Sequence, residues 1–142
     1  MIRLINEHDI DKVMEIWLDA NIKAHDFIDK NYWIDNYDLV KNEYLPNSKI
    51  YVYEEEELIK GFIGIINSSF IGGLFVDIES QNKGIGGKLL DKVKDKIDNL
   101  SLTVYKDNIN AIQFYKKNGF KIVVEEIDED TNKVQLIMEY KK

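Results

Sequence analysis

The chain has 142 residues, 44% of them hydrophobic, with 26 acidic against 19 basic side chains and a formal net charge of −7. The absence of cysteine rules out a disulfide framework or a Cys-based metal site and fits a reducing compartment, while a single arginine and lysines interleaved with aspartate disfavour a nucleic-acid partner. Met1 to Ile5 is too short and too soon interrupted by Glu7, His8 and Asp9 to be a signal peptide, and no apolar run is long enough to span a membrane. The expectation is one soluble, cytoplasmic domain over residues 1–142.

In chain order, residues 2–5 read as a strand. Asn6 is a plausible N-cap for an amphipathic helix whose face is Ile10, Val13, Met14, Trp17, Asn21 and Ala24. A second helix is expected over about 29–45, closed by Pro46. Residues 49–53 and 58–66 form a hairpin around Glu54 to Glu57; that acidic run reads as a solvated turn, with a cation-binding patch as the alternative. A strand at 70–78, a helix at 84–98, a strand at 100–105, a helix at 108–118 and strands near 120–127 and 134–140 follow. The order implies an α/β fold with a mixed, mainly antiparallel sheet of about seven strands and about four helices.

Gly84, Gly86 and Gly87 stand where the helix after the 70–78 strand should begin, although glycine costs about 1 kcal/mol per residue there relative to alanine. A strand feeding a helix through glycines presents unpaired amides at the positive end of the helix dipole, a place for phosphate. Leu89 replaces the hydroxyl residue that a Walker loop needs, and the third glycine and ribose-binding acid of a dinucleotide site are missing. A glycine-rich turn without a ligand remains the bland reading.

The neighbourhood is more specific. Gln81-Asn82-Lys83-Gly84-Ile85-Gly86, preceded by Leu74-Phe75-Val76, resembles the pyrophosphate loop of the GNAT-type acetyl-CoA-dependent N-acetyltransferases. Asn108-Ile109-Asn110-Ala111-Ile112-Gln113-Phe114-Tyr115, continuing to Gly119-Phe120, resembles that family's second signature, and the front half resembles its small stand-alone bacterial members. The resemblance implies transfer of an acetyl group from acetyl-CoA to a primary amine in a ternary complex, with no metal. It implies acetyl-CoA contacts at Leu74, Phe75, Val76, Gln81, Asn82, Lys83, Gly84, Ile85, Gly86, Gly87, Asn108 and Tyr115. It further implies an oxyanion donor in the backbone N–H near Val76 and a general acid in Tyr115, which on residue type alone would read as a core tyrosine. Gly72 and Gly73 suggest a bulge or a close backbone approach on the same strand.

Some relatives carry a glutamate base five residues before Asn108, where this chain has Thr103, which cannot serve. Water relaying the amine's proton to Glu79, Asp77 or His25, or an acceptor that arrives already deprotonated, are the alternatives left. Phe27, Trp33 and Phe70, with His25, are expected on the acceptor side. The acceptor is read as a protein lysine, with a small-molecule amine or a protein N-terminus as alternatives, and a non-catalytic acetyl-CoA-binding module as the rival. Monomer and homodimer both stay open.

Overall fold

The computed structural model describes residues 1–142. Its sheet has the strand order β1 (Ile2–Leu4), β2 (Lys49–Glu55), β3 (Leu58–Ile66), β4 (Phe70–Val76), β5 (Asn99–Tyr105), β7 (Lys133–Lys141) and β6 (Lys121–Asp128). All neighbours are antiparallel except β4 and β5, which run parallel.

Alternation along the central strands sends side chains to two cores. On one face Ile50, Val52 and Phe62 pack against Val13, Met14, Ile16 and Trp17 of α1 (Ile10–Ala24) and Trp33 of α2 (Lys30–Asp35). On the other, Tyr51, Ile63, Leu102 and Met138 pack against Ile85, Leu89, Leu90 and Val93 of α4 (Ile85–Lys94) and Tyr115 of α5 (Ile109–Lys117).

Asn6 caps a short 3-10 turn, Glu7–Asp9, from which α1 continues; its side chain accepts from the His8 amide while Asp9 Oδ2 accepts from the Asn6 amide at 2.9 Å. The long helix expected over 29–45 is instead broken. The Asn36 side chain donates to the Tyr32 carbonyl at 2.7 Å and ends α2, after which a single turn, α3 (Tyr37–Leu39), widens into a π-helical turn at Val40–Tyr44. The strand expected to run to Ile78 stops at Val76, where a 3-10 turn at Ile78–Ser80 takes over. The glutamate run is a hairpin turn with Glu56 and Glu57 at positive φ, and Glu54 is engaged by Arg3, so it is no open cation patch.

Two irregularities shape the centre. In β4, Gly73 opposes Gly64 but Ile71 opposes Ile65, so Gly72 is the extra residue of a bulge. A Cβ on Gly72 would lie 2.6 Å from Ile66 Cδ1, and one on Gly73 would lie 2.8 Å from the Phe75 ring. Beyond the bulge β4 and β5 separate: their ladder contains only the pair Phe70–Ser101, with the Ser101 amide donating to the Ser69 carbonyl at 3.0 Å. The sheet is therefore open between its fourth and fifth strands.

The only arginine ties the N-terminal strand to this frame. Arg3 donates to both Asp9 oxygens, at 2.7 and 3.0 Å, and to Glu54, and its guanidinium holds the buried Asp9 carboxyl below its ordinary pKa of 3.8. A carboxylate held low stabilises the fold above its unfolded pKa and loses that contribution as pH falls through the lowered value. Asp9→Asn should therefore lower Tm at pH 7 by about 3–8 °C, corresponding to about 1–2 kcal/mol for a lost charge-assisted contact. Thermal melts should show the gap between the two proteins narrowing below pH 4.

Candidate active site

The site is built from backbone first. Asn82 (φ 66°) and Gly84 (φ 84°) are left-handed, and none of the amides from Asn82 to Gly87 donates to a backbone or side-chain acceptor; the first helical bond of α4 runs from Lys88 to the Gly84 carbonyl at 3.1 Å. A Cβ on Gly84 or Gly87 would meet nothing within 4 Å. The loop therefore offers a set of free N–H groups at a helix start, with open space over Gly84 and Gly87.

β4 offers a second set. The Asp77 amide donates to the Lys60 carbonyl at 2.8 Å, and in an antiparallel ladder such bonds alternate. The amides of Val76 and Leu74 consequently point away from β3, into the opening towards β5. The Gln81 side chain donates to the Val76 carbonyl at 3.1 Å, which fastens the loop to the strand end.

Three neighbouring hollows that share lining residues lie at and beside the opening. The first, about 470 Å³, is lined by Leu74, Phe75, Val76, Gln81, Asn82, Gly86, Asn108, Phe114 and Tyr115, together with Asp26 and Lys23 from the end of α1. A neck of about 210 Å³ follows, bordered by Gly72, Gly73, His25, Trp33, Thr103, Asn108 and Tyr115. The third, about 400 Å³, lies under α2 and the π-helical turn and includes Trp33 and Phe70. Phe75 lines all three. Tyr115 borders the first hollow and the neck, and burial holds its hydroxyl well above the ordinary phenol pKa, so it keeps its proton.

His25 is buried and fully engaged. Its Nδ1 donates to the Asn21 carbonyl at 3.0 Å, and its Nε2 accepts from the Asn108 side-chain amide at 3.2 Å, while Asn108 Oδ1 accepts from the Ala111 amide and caps α5. The ring stacks on Trp33 at 5.0 Å between centroids and meets Phe27 and Tyr105 edge-on. Burial lowers its pKa from 6.5. The neutral tautomer is thus fixed at both nitrogens, with no free lone pair for a substrate proton.

The remaining expected residues divide. Ile85 turns its side chain into the core, so only its amide faces the loop, and the Lys83 side chain borders none of the hollows. Phe27 borders none of them either and packs on His25 and Tyr105. Asp77 and Glu79 also stay outside, despite lying next to the loop in sequence. Sequence reasoning missed Asp26 and Asp130, the carboxylates that do line hollows, and Tyr105, whose hydroxyl donates to Asp128 at 2.6 Å. Asp26 and Tyr105 stood beside residues already singled out; Asp130 carried no signal beyond its place in a polar turn.

With this geometry in hand, comparison with known proteins is decisive: residues 23–140 match the model of the acetyltransferase (GNAT) domain. The chain belongs to the GNAT acetyltransferase family. It is 37% identical over 123 residues to the peptidyl-lysine N-acetyltransferase YiaC of Escherichia coli K12, covering 87% of this chain and 84% of that one. It is 28% identical over 122 residues to the peptidyl-lysine N-acetyltransferase YjaB of the same organism, covering 85% and 82%. The solution structure of apo YjaB superposes with a TM-score of 0.85 at 26% identity over 99% of this chain and 96% of that one. The fold also matches PaiA N-acetyltransferase of Thermoplasma acidophilum, solved with coenzyme A, at a TM-score of 0.81 and 22% identity over 100% and 98%. The family's enzymes are acyltransferases, and the opening between β4 and β5 is the part of this GNAT domain where free amides, hollows and Tyr115 coincide.

The His25 clasp has a pH signature. Because its folded pKa is depressed, the unfolded chain takes up the proton first, and stability is full above 6.5 and lost as pH falls through the lowered value. His25→Gln should cost stability at pH 7 yet show a flatter decline in Tm between pH 7 and pH 5 than the wild type.

Proposed function

We propose that this acetyltransferase holds acetyl-CoA along β4 and the Gln81–Gly87 loop and passes the acetyl group directly to an amine entering through the neck. The observation that carries the reading is that Tyr115 borders both the first hollow and the neck and is the one residue common to the two with a proton to give. The pyrophosphate would sit on the amides of Asn82 to Gly87, and the pantetheine arm beside Leu74, Phe75 and Val76, near Asn108.

The amine nitrogen attacks the thioester carbon, and the resulting oxyanion takes a hydrogen bond from the Val76 N–H, an interaction commonly worth about 3–4 kcal/mol in acyl transfer. The C–S bond then breaks, and the thiolate receives the Tyr115 hydroxyl proton. Burial that raises the phenol also destabilises a buried thiolate, so the two groups stay close in proton affinity despite reference values near 10 and 8.5.

The amine proton leaves by another route. Thr103 borders the neck but is no base, and both nitrogens of His25 are occupied. Asp26, the one carboxylate lining the first hollow, is the natural end of a water relay. The acceptor is a protein lysine, a reading supported by relatives named peptidyl-lysine N-acetyltransferases at 37% and 28% identity. A cytoplasmic setting is supported by the chain's lack of cysteine, which fits a reducing compartment.

Two measurements test this assignment. Tyr115→Phe should lower kcat by about 10²- to 10⁴-fold with acetyl-CoA affinity little changed; an unaltered rate removes Tyr115 from the chemistry. Gly87 is helical and its Cβ position is open, so Gly87→Ala should raise the Tm of the free protein by about 2 °C through helix propensity. The same change should shrink the thermal shift produced by acetyl-CoA, because the methyl group occupies the space that the phosphates need.

A further inference from the structure

We propose that the third hollow is a subsite for a second positive charge on the acceptor, with Asp130 as its anchor; this rests on the acetyl-transfer reading above. The hollow is lined by 18 residues, among which Asp130 is the only aspartate, glutamate, lysine, arginine or histidine. Trp17, Tyr32, Trp33 and Tyr44 supply aromatic surface around it. Aromatic faces and a lone carboxylate suit an alkylammonium, the faces through cation–π attraction and the carboxylate through charge.

The turn that carries Asp130 is held in place, and the Asp130 side chain stands exposed at the rim of the hollow. Asp130 belongs to the turn between β6 and β7, and that turn is fastened over the aromatic cluster through Asp128. Tyr105 donates to Asp128 at 2.6 Å, the Thr131 hydroxyl donates to the same oxygen at 2.9 Å, and the Asp130 amide donates to the other at 3.2 Å. Asp130 itself forms no ion pair, since every salt bridge of the chain lies elsewhere. Its charge and that of Asp128 reach the Tyr32 hydroxyl, which burial first and these charges next hold in the protonated form.

The division of charge between the hollows explains the preference. The neck has no ionised side chain, because its histidine is neutral and its tyrosines keep their protons. An amine must shed its proton to pass the neck, whereas a second amine left behind in the aromatic hollow keeps its charge against Asp130. The acceptor chemistry selected is a chain with two cationic groups, the first reacting and the second anchoring. It has two sources: a free aliphatic diamine, or a peptide lysine with a basic residue nearby.

The test is a matched set of acceptors with acetyl-CoA at saturation. One arm compares n-butylamine with α,ω-diamines of three to eight carbons, and the other compares lysine peptides flanked by glycine with the same peptides flanked by arginine. Rates are expressed per amine and corrected for the free-base fraction. The wild type should favour the dicationic member in at least one arm by about fivefold in kcat/KM, mostly through KM, and the arm showing the preference identifies the source. Asp130→Asn should bring that ratio to within about twofold of one, while Glu129→Gln, on the same turn but outside the hollow, should preserve it. Ordinary turnover of the monocationic acceptors with no preference in either arm, or a ratio that survives Asp130→Asn, overturns the subsite and leaves acetyl transfer standing. Absence of acetylation in every arm overturns both.

Discussion

The parting of β4 and β5 is the constraint on which the rest depends. A sheet normally satisfies each interior strand on both sides, and buried amides without partners are rare because they are costly. Here the two strands share one ladder pair, and the Leu74 and Val76 amides face the gap. The rest of the sheet supports this opening: antiparallel neighbours secure β4 to β3 and β5 to β7, so each lip of the gap is rigid although the gap itself is unpaired. Ordered binding groups at a break in regular structure make a site that needs little reorganisation when a ligand arrives.

The two helical layers close the opening from opposite sides. α4 brings the glycine loop to the strand end, where Gln81 fastens it, and α5 brings Phe114 and Tyr115. α1 comes from the other face and is joined to α5 through the Asn21–His25–Asn108 series of hydrogen bonds, spanning 83 residues of sequence between His25 and Asn108. One helix cap thus serves two purposes: Asn108 starts α5 and donates a hydrogen bond to the ring of a buried histidine. Polar groups so deep in the structure are tolerable because each is paired. The Trp33 indole nitrogen is the one buried side-chain polar atom without a partner, and it sits against the Tyr32 and Trp17 rings.

Local patterns in the sequence carried the strands, α1, α4, α5 and the glycine loop, because periodicity and capping report on neighbours a few residues away. They failed at 29–45, where Asn36 uses its side chain to take a backbone carbonyl and stop a pattern that apolar spacing would have continued. They failed again for the acidic groups. Asp77 and Glu79 lie beside the loop in sequence yet outside the hollows, while Asp26 reaches the site from the end of α1 and Asp130 from a distant hairpin. Phe27, aromatic and adjacent to His25, supports the ring of its neighbour and lines none of the hollows. Which carboxylate or aromatic faces a cavity is decided by tertiary packing, and no spacing rule within one segment encodes it.

An anion seat made of main-chain amides has one more consequence. Peptide N–H groups do not titrate, so such a seat has no ionisation of its own, and its grip on a phosphate ester follows the ligand's charge state alone. It makes no use of the side-chain charge at Lys83, provided that the left-handed turns at residues 82 and 84 persist. In the proposed role, the seat is set by backbone conformation and not by side-chain charge. On that reading a strongly acidic protein would keep a place for a polyanion without assembling a cationic patch that would attract every other polyanion in its surroundings.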